Sequence, residues 1–136
     1  MVLRVVLIFV CMILLAHVHA DPFDTIRQLR QELRQNIVPP HEFMIYYVCP
    51  LIATPEFVKQ ANDYDLTSAV VDELGFGALG VKNNSWAAKY QVDPYKNSRC
   101  FSAMYLAATS DMAKTQIAGM KKIIRRCCLT DTDYDL

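Results

Sequence analysis

Ser110-Asp-Met-Ala-Lys-Thr-Gln-Ile-Ala-Gly-Met-Lys-Lys-Ile-Ile-Arg-Arg-Cys-Cys128 is the stretch that decides the fold class. Ser110 is a helix-capping residue type, and Ala113, Ile117, Met120, Ile124 and Cys127 recur at steps of three and four, the spacing of one face of an α-helix. Lys114, Lys121, Lys122, Arg125 and Arg126 fall on the opposite face. The pattern predicts an amphipathic helix that ends at two adjacent cysteines. Side chains of neighbours on a helix point about 100° apart, so such a helix would be fastened on two sides at once.

The N-terminus sets the chemistry of those cysteines. Met1 to Ala16 carries one charge, Arg4, and then an apolar run of roughly a dozen residues, shorter than the ~20 needed to span a bilayer. His17-Val-His-Ala20 followed by Asp21-Pro22 has the small residues of a cleavage site, so residues 1–20 are expected to be a signal peptide. What remains is a single secreted, extracellular domain, 21–136, of about 116 residues, with no second apolar run for stable membrane insertion. Cys11 leaves with the leader. Cys49, Cys100, Cys127 and Cys128 stay, an even number in an oxidising compartment, and imply two disulfides. A bond between Cys127 and Cys128 would close a strained small ring, so Cys49 and Cys100 each take one of them, in either order. Closing loops this long stabilises by on the order of 3 to 4 kcal/mol per bridge.

Working backwards, the other segments also read as helical. Phe23 to Asn36 places Ile26, Leu29 and Leu33 on one face behind Asp21-Pro22, a cap and a first-turn proline. His41 to Cys49 is apolar nearly all round and is expected to stop at Pro50; helix is favoured, and a strand over Phe43 to Val48 is the alternative. Thr54-Pro55 opens a short helix to about Asn62, and Asp65 is a candidate cap for another that ends at Gly75. Gly75 to Ser85 is the longest expected loop, Ser85 to Tyr90 a turn or two of helix, Asp93 to Asn97 a turn, and Arg99 to Ala108 a buried helix. Residues from about 129 form an acidic tail. The expected fold is mainly α, a disulfide-stapled bundle of five to six short helices, with α+β as the alternative.

Several function classes are excluded at this stage. Loss of Arg4 leaves a net charge of about −1, without the basic excess that nucleic-acid binding requires. Gly75-Phe-Gly-Ala-Leu-Gly80 matches the glycine spacing of a dinucleotide loop but is followed by Lys82-Asn-Asn84 where a helix should open, so no cofactor is expected. After the leader is removed His41 is the only histidine, and with oxidised cysteines there is neither a nucleophile pair nor a metal set. The carboxylates Asp63 and Asp65, or Asp72 and Glu73, have no companions that would make a glycosidase. The chain reads as a non-enzyme.

The surplus is aromatic and sulfur-bearing. Phe43, Tyr46, Tyr47, Trp86, Phe101, Met104, Tyr105 and Met120 are candidates to line a cavity for a small hydrophobic molecule, which makes a carrier the first functional expectation. Secreted helical proteins stapled by disulfides include such carriers, insect odorant-binding proteins among them. The adjacent Cys127-Cys128 and the absence of their characteristic cysteine spacings separate this chain from that family. The second expectation is a signalling, defence or venom-type effector acting on an extracellular protein or an anionic surface through Lys121, Lys122, Arg125 and Arg126. Those residues are also dibasic pairs of the kind cleaved in secreted precursors. Asn83-Asn-Ser85 is a glycosylation sequon with Asn83 as acceptor, and Tyr134 has the acidic neighbours of a sulfation site.

Overall fold

The computed structural model describes residues 4–7, 21–92, 98–110 and 116–128. Of the expected leader only Arg4 to Leu7 are described, as exposed helix; the expected cleavage site residues up to Ala20, the turn expected at Asp93 to Asn97, Ala113 and Lys114, and the acidic stretch from 129 with Tyr134 lie outside the described residues. The element order is α1 (Pro22–Gln35), α2 (Pro40–Phe43), a π-helical turn (Met44–Val48), α3 (Cys49–Ile52), α4 (Pro55–Tyr64), α5 (Leu66–Leu74), β1 (Phe76–Gly77), β2 (Gly80–Val81), α6 (Trp86–Gln91), α7 (Ser98–Thr109) and α8 (Gln116–Cys127). The fold is mainly α, as the sequence implies. The eight α-helices of this order exceed the expected five to six because the π turn splits one rod in two and the turn or two expected at Ser85 to Tyr90 is a helix of its own.

Three helices begin as their sequences dictate. The carboxylate of Asp21 accepts from Phe23 N–H at 2.9 Å, Thr54 Oγ1 from Phe57 N–H at 3.3 Å, and Ser85 Oγ from Ala88 N–H at 3.1 Å, each satisfying an amide that a helix start leaves free. One expected cap is corrected. Asp65 adopts a left-handed conformation (φ 51°) and makes no side-chain cap; its N–H instead closes α4 onto Ala61. The start of α5 is capped from outside, by Gln116 of α8, whose Oε1 accepts from Ser68 N–H at 3.1 Å while its Nε2 donates to Ser68 Oγ at 3.0 Å. Ser110 follows the end of α7, its N–H donating to Leu106 O at 3.0 Å; residues 111–115, which it was expected to cap, lie outside the described residues, and the described part of α8 opens at Gln116.

Pro50 does not stop the second rod, as its sequence position implied. Cys49 N–H reaches back five residues to Met44 O, and this wider turn carries the helix past the proline to Ile52. A proline ring clashes with the carbonyl four residues before it in an α-helix, and a π turn displaces that carbonyl. The segment is helix and not strand. It is also two-sided: Phe43, Met44, Val48 and Cys49 are buried, while Ile45 and Tyr46 face outward.

α8 packs against α3, α4, α5 and α7, and α5 packs in turn on α1, α4 and α7. The buried stripe of α8 comprises Gln116, Gly119, Met120, Ile123, Ile124 and Cys127, with Ile117 only partly covered, so it is rotated from the one read in the sequence. Gly119 permits the rotation: a Cβ there would stand 3.1 Å from Thr67 Cγ2 of α5. The two bridges are Cys49–Cys128, which joins α3 to the end of α8, and Cys100–Cys127, which joins α7 to it. This is one of the two orders that the sequence left open. The expected glycine loop contains a hairpin of two-residue strands, Phe76 opposite Val81 and Gly77 opposite Gly80, and Phe76 is buried. Ala78 and Leu79 at its tip are exposed.

Gly75 ends α5 with φ +107°, and a Cβ on it would lie 2.2 Å from Ser85 Cβ. Strain and overlap combine, so Gly75→Ala is expected to lower the unfolding free energy by about 2 to 5 kcal/mol in urea titrations. The bridges enclose 79 and 27 residues. Loop-closure entropy then makes Cys49→Ser/Cys128→Ser more destabilising than Cys100→Ser/Cys127→Ser by about 1 kcal/mol, measurable in the same titration.

Candidate functional site

Trp86 is placed by its cap. Asn84 turns the chain with φ +59°, Ser85 Oγ donates to Lys82 O at 2.7 Å while capping α6, and Trp86 becomes the first residue of that helix. Four residues on, Tyr90 stacks against it with ring centroids 4.9 Å apart. From Trp86 a line of rings runs to Phe43 (6.2 Å) and Tyr47 (5.2 Å beyond Phe43); from Tyr90 it runs to Phe101 (6.3 Å) and Tyr105 (6.1 Å beyond Phe101). Phe76 joins at Phe101, 5.3 Å away.

Five of the eight cavity candidates, Phe43, Tyr47, Trp86, Phe101 and Tyr105, therefore belong to one array. Tyr46 stands outside it at 69% exposure. Met104 and Met120 are fully buried in the core. Tyr90, the joint of the array, was not among the candidates; its i+4 spacing from Trp86 on a capped helix was the signal that could have found it.

Phe43 and Trp86 also form part of an open cleft of about 480 Å³ between the end of α1, the Ile37 to Pro40 connection and α6. Leu33, Val38 and Pro40 supply further apolar wall, and Asn36, Glu73 and Lys89 a polar rim. Glu73 is held in place by Arg30 of α1, whose Nε and Nη2 donate to its two oxygens at 2.7 and 3.2 Å. That hydrogen bonding raises the already high Arg30 pKa. Trp86 Nε1 is buried with no hydrogen-bond partner among the described residues. A buried N–H without an acceptor costs roughly 1 to 3 kcal/mol, a cost that an acceptor brought to it would relieve.

The basic residues of α8 do not act from one place. Lys122 and Arg126 border a groove against α7, together with Arg99 and Ser102. Lys121 points to the other side, where it and Lys59 flank an apolar groove floored by Pro55, Val58 and Ile124. Arg125 is exposed. Both dibasic pairs lie within the regular helix α8.

Asn83 is exposed in the turn after β2. His41 is half-buried, with Nδ1 unpartnered among the described residues. Asp72 is paired with Lys82, as Glu73 is with Arg30. No group of three or more His, Cys, Asp or Glu side chains among the described residues is placed to hold a metal ion.

Fold and clefts together define a small disulfide-stapled helical protein with open surface grooves. The chain matches no known protein family, no curated protein and no solved structure.

The array assigns unequal weight to neighbouring aromatics. Phe43, 1% exposed, sits between Tyr47 and Trp86. Phe43→Ala is expected to cost about 3 to 5 kcal/mol, and Tyr46→Ala no more than about 0.5 kcal/mol, by chemical denaturation.

Proposed function

We propose that this chain is a secreted, non-catalytic binding protein that carries a small hydrophobic molecule with a hydrogen-bond acceptor in the cleft at Phe43 and Trp86. The observation that supports it best is the unpartnered Nε1 of Trp86, a residue that lines the cleft beside Phe43, Leu33, Val38 and the two prolines. Ligand pockets combine apolar contact with a few placed polar groups, and this cleft has both. The ligand's acceptor meets Trp86 Nε1, and its apolar body lies against Phe43, Leu33 and the two prolines.

Secretion rests on the leader and on two disulfides, which persist in oxidising compartments. No described helix is long and apolar enough to cross a membrane. The non-catalytic reading is supported by the state of the candidate groups: all four cysteines are bridged, and Asp72 and Glu73 are paired with cations. Exposed Asn83 is a glycan acceptor in this reading.

Trp86 is the sole tryptophan, so its fluorescence reports on the cleft directly. Titration with the ketone-bearing apolar probe prodan is expected to quench it saturably at one probe per chain. Trp86→Phe, which keeps the ring but removes the donor, should weaken binding by about tenfold, read from probe emission, while Tyr46→Ala leaves it unchanged. Unsaturable quenching, or equal affinity in Trp86→Phe, would sink the carrier reading.

A further inference from the structure

The contacts between α4 and α8 fix their relative direction. Ile117 N–H, at the start of the described α8, donates to Asn62 Oδ1 near the end of α4 at 2.9 Å, while Pro55 at the start of α4 and Ile124 near the end of α8 line one groove. The two helices are therefore antiparallel, and the groove between them, of about 360 Å³, has two chemically different ends. Ala53, Pro55 and Ile124 lie at one end, and Lys59 and Lys121 lie toward the other. Counted from the contact of Asn62 with Ile117, Lys59 is three residues back along α4 and Lys121 four residues on along α8, axial distances of about 4.5 and 6 Å, so the two lysines stand nearly level.

These two cations have no compensating charge among the described residues. Neither makes an ion pair or a side-chain hydrogen bond there, although Glu56 and Asp63 lie within about one turn of Lys59 on α4, and no carboxylate is among the described residues that line the groove. Like charges facing each other across a groove repel, and one anion between them turns that repulsion into attraction. Thr54, the remaining polar side chain of the lining, is committed to the cap of α4. Beyond the lysines the floor is apolar: Ile124 belongs to the core and Val58 packs against it. A groove with cations at one end and an apolar floor at the other is complementary to a molecule with one negative head and one apolar body. The lining is a handful of residues, far below the roughly 20 to 30 a side of a stable protein interface. Its apolar surface is recessed between two helices, whereas binding to a bilayer surface needs an apolar face that protrudes.

We propose that the groove between α4 and α8 binds a single-chain fatty carboxylate of medium length, its head held between Lys59 and Lys121 and its alkyl chain lying over Val58 and Ile124 toward Ala53 and Pro55. A carboxylate has two acceptor oxygens and can take a hydrogen bond from both ammonium groups at once. The site shares no lining residue with the Trp86 cleft and stands or falls separately from the carrier reading.

The test uses the full chain as a eukaryotic secretion host produces it, with both disulfides intact. Methyl resonances of Val58 and Ile124 are followed by NMR during titration with decanoate, below its micelle concentration, and with decan-1-ol, which has the same chain without the charge. Saturable shifts are expected with decanoate, at an affinity at least about tenfold above that of the alcohol. Lys59→Gln/Lys121→Gln should weaken decanoate binding by about tenfold or more, while Arg34→Gln/Lys122→Gln, which removes equal charge elsewhere, changes it less than about twofold. Trp86→Phe should also leave it within about twofold, so loss of the other cleft does not disturb this result. Absence of saturable methyl shifts, equal affinity for the alcohol, or equal weakening in the two double variants overturns the site. Shifts that arise only with phosphatidylglycerol vesicles also overturn it, in favour of a lipid surface. Unchanged circular dichroism with the same two bridges shows that any loss in a variant is local.

Discussion

Two adjacent half-cystines at the end of α8 are the constraint on which the remaining architecture depends. Cys127 and Cys128 leave the helix in different directions, one toward Cys100 of α7 and the other toward Cys49 of α3. A twelve-residue helix carrying four basic residues is marginal in isolation, because short helices repay their nucleation cost poorly in water. Fastening its end to two elements fixes both its axial position and its rotation. The rotation matters most, because it turns Gly119 toward Thr67 and brings α8 and α5 to the 3.1 Å approach that a larger residue would prevent.

That close approach is polar as well as tight. Thr67 and Gln116 are the buried polar residues among those described, and they satisfy one another's elements: Thr67 Oγ1 donates to Gln116 O, and the Gln116 amide caps Ser68. At the same junction Ile117 N–H donates to Asn62 Oδ1 of α4 at 2.9 Å. Helix α5 therefore lacks a local cap and acquires one only when α8 docks, and α8 in turn receives a cap from α4. Local structure and tertiary packing are completed together, which is the arrangement expected of a cooperative unit.

The elements legible in the sequence were those whose signals are local. The caps at Asp21, Thr54 and Ser85, the apolar face of α1 and the amphipathic character of α8 each depend on residues within one or two turns, and each is present. The misread features depend on partners far along the chain. Asp65 resembled a cap because its type is right, but Gln116, some fifty residues away, does that work. Pro50 resembled a stop because a π turn has no sequence signature that distinguishes it from a helix end. The aromatic residues were legible as a population and not as an arrangement. Periodicity says that Phe43 and Trp86 are apolar, but only the docking of α6 on α2 says that their rings meet, and the groove at Arg99 depends on a bridge whose pairing the sequence left open.

The aromatic load was expected to surround a cavity, and ring spacing explains why it forms a line. Centroid separations of 4.9 to 6.3 Å are those of rings in direct contact, so each ring fills the volume beside the next and leaves no room between them for a guest. In the proposed reading a ligand therefore meets the line from outside, at the cleft that Phe43 and Trp86 border. There the proposed site gains a rigid apolar floor. Its polar rim is unequal in freedom, since Glu73 is fixed by two hydrogen bonds to Arg30 whereas Lys89 is exposed on α6. A bound molecule would then meet one preset charge and one adaptable charge, and selectivity would follow from how its polar groups are spaced from the acceptor at Trp86, more than from the shape of an enclosing wall.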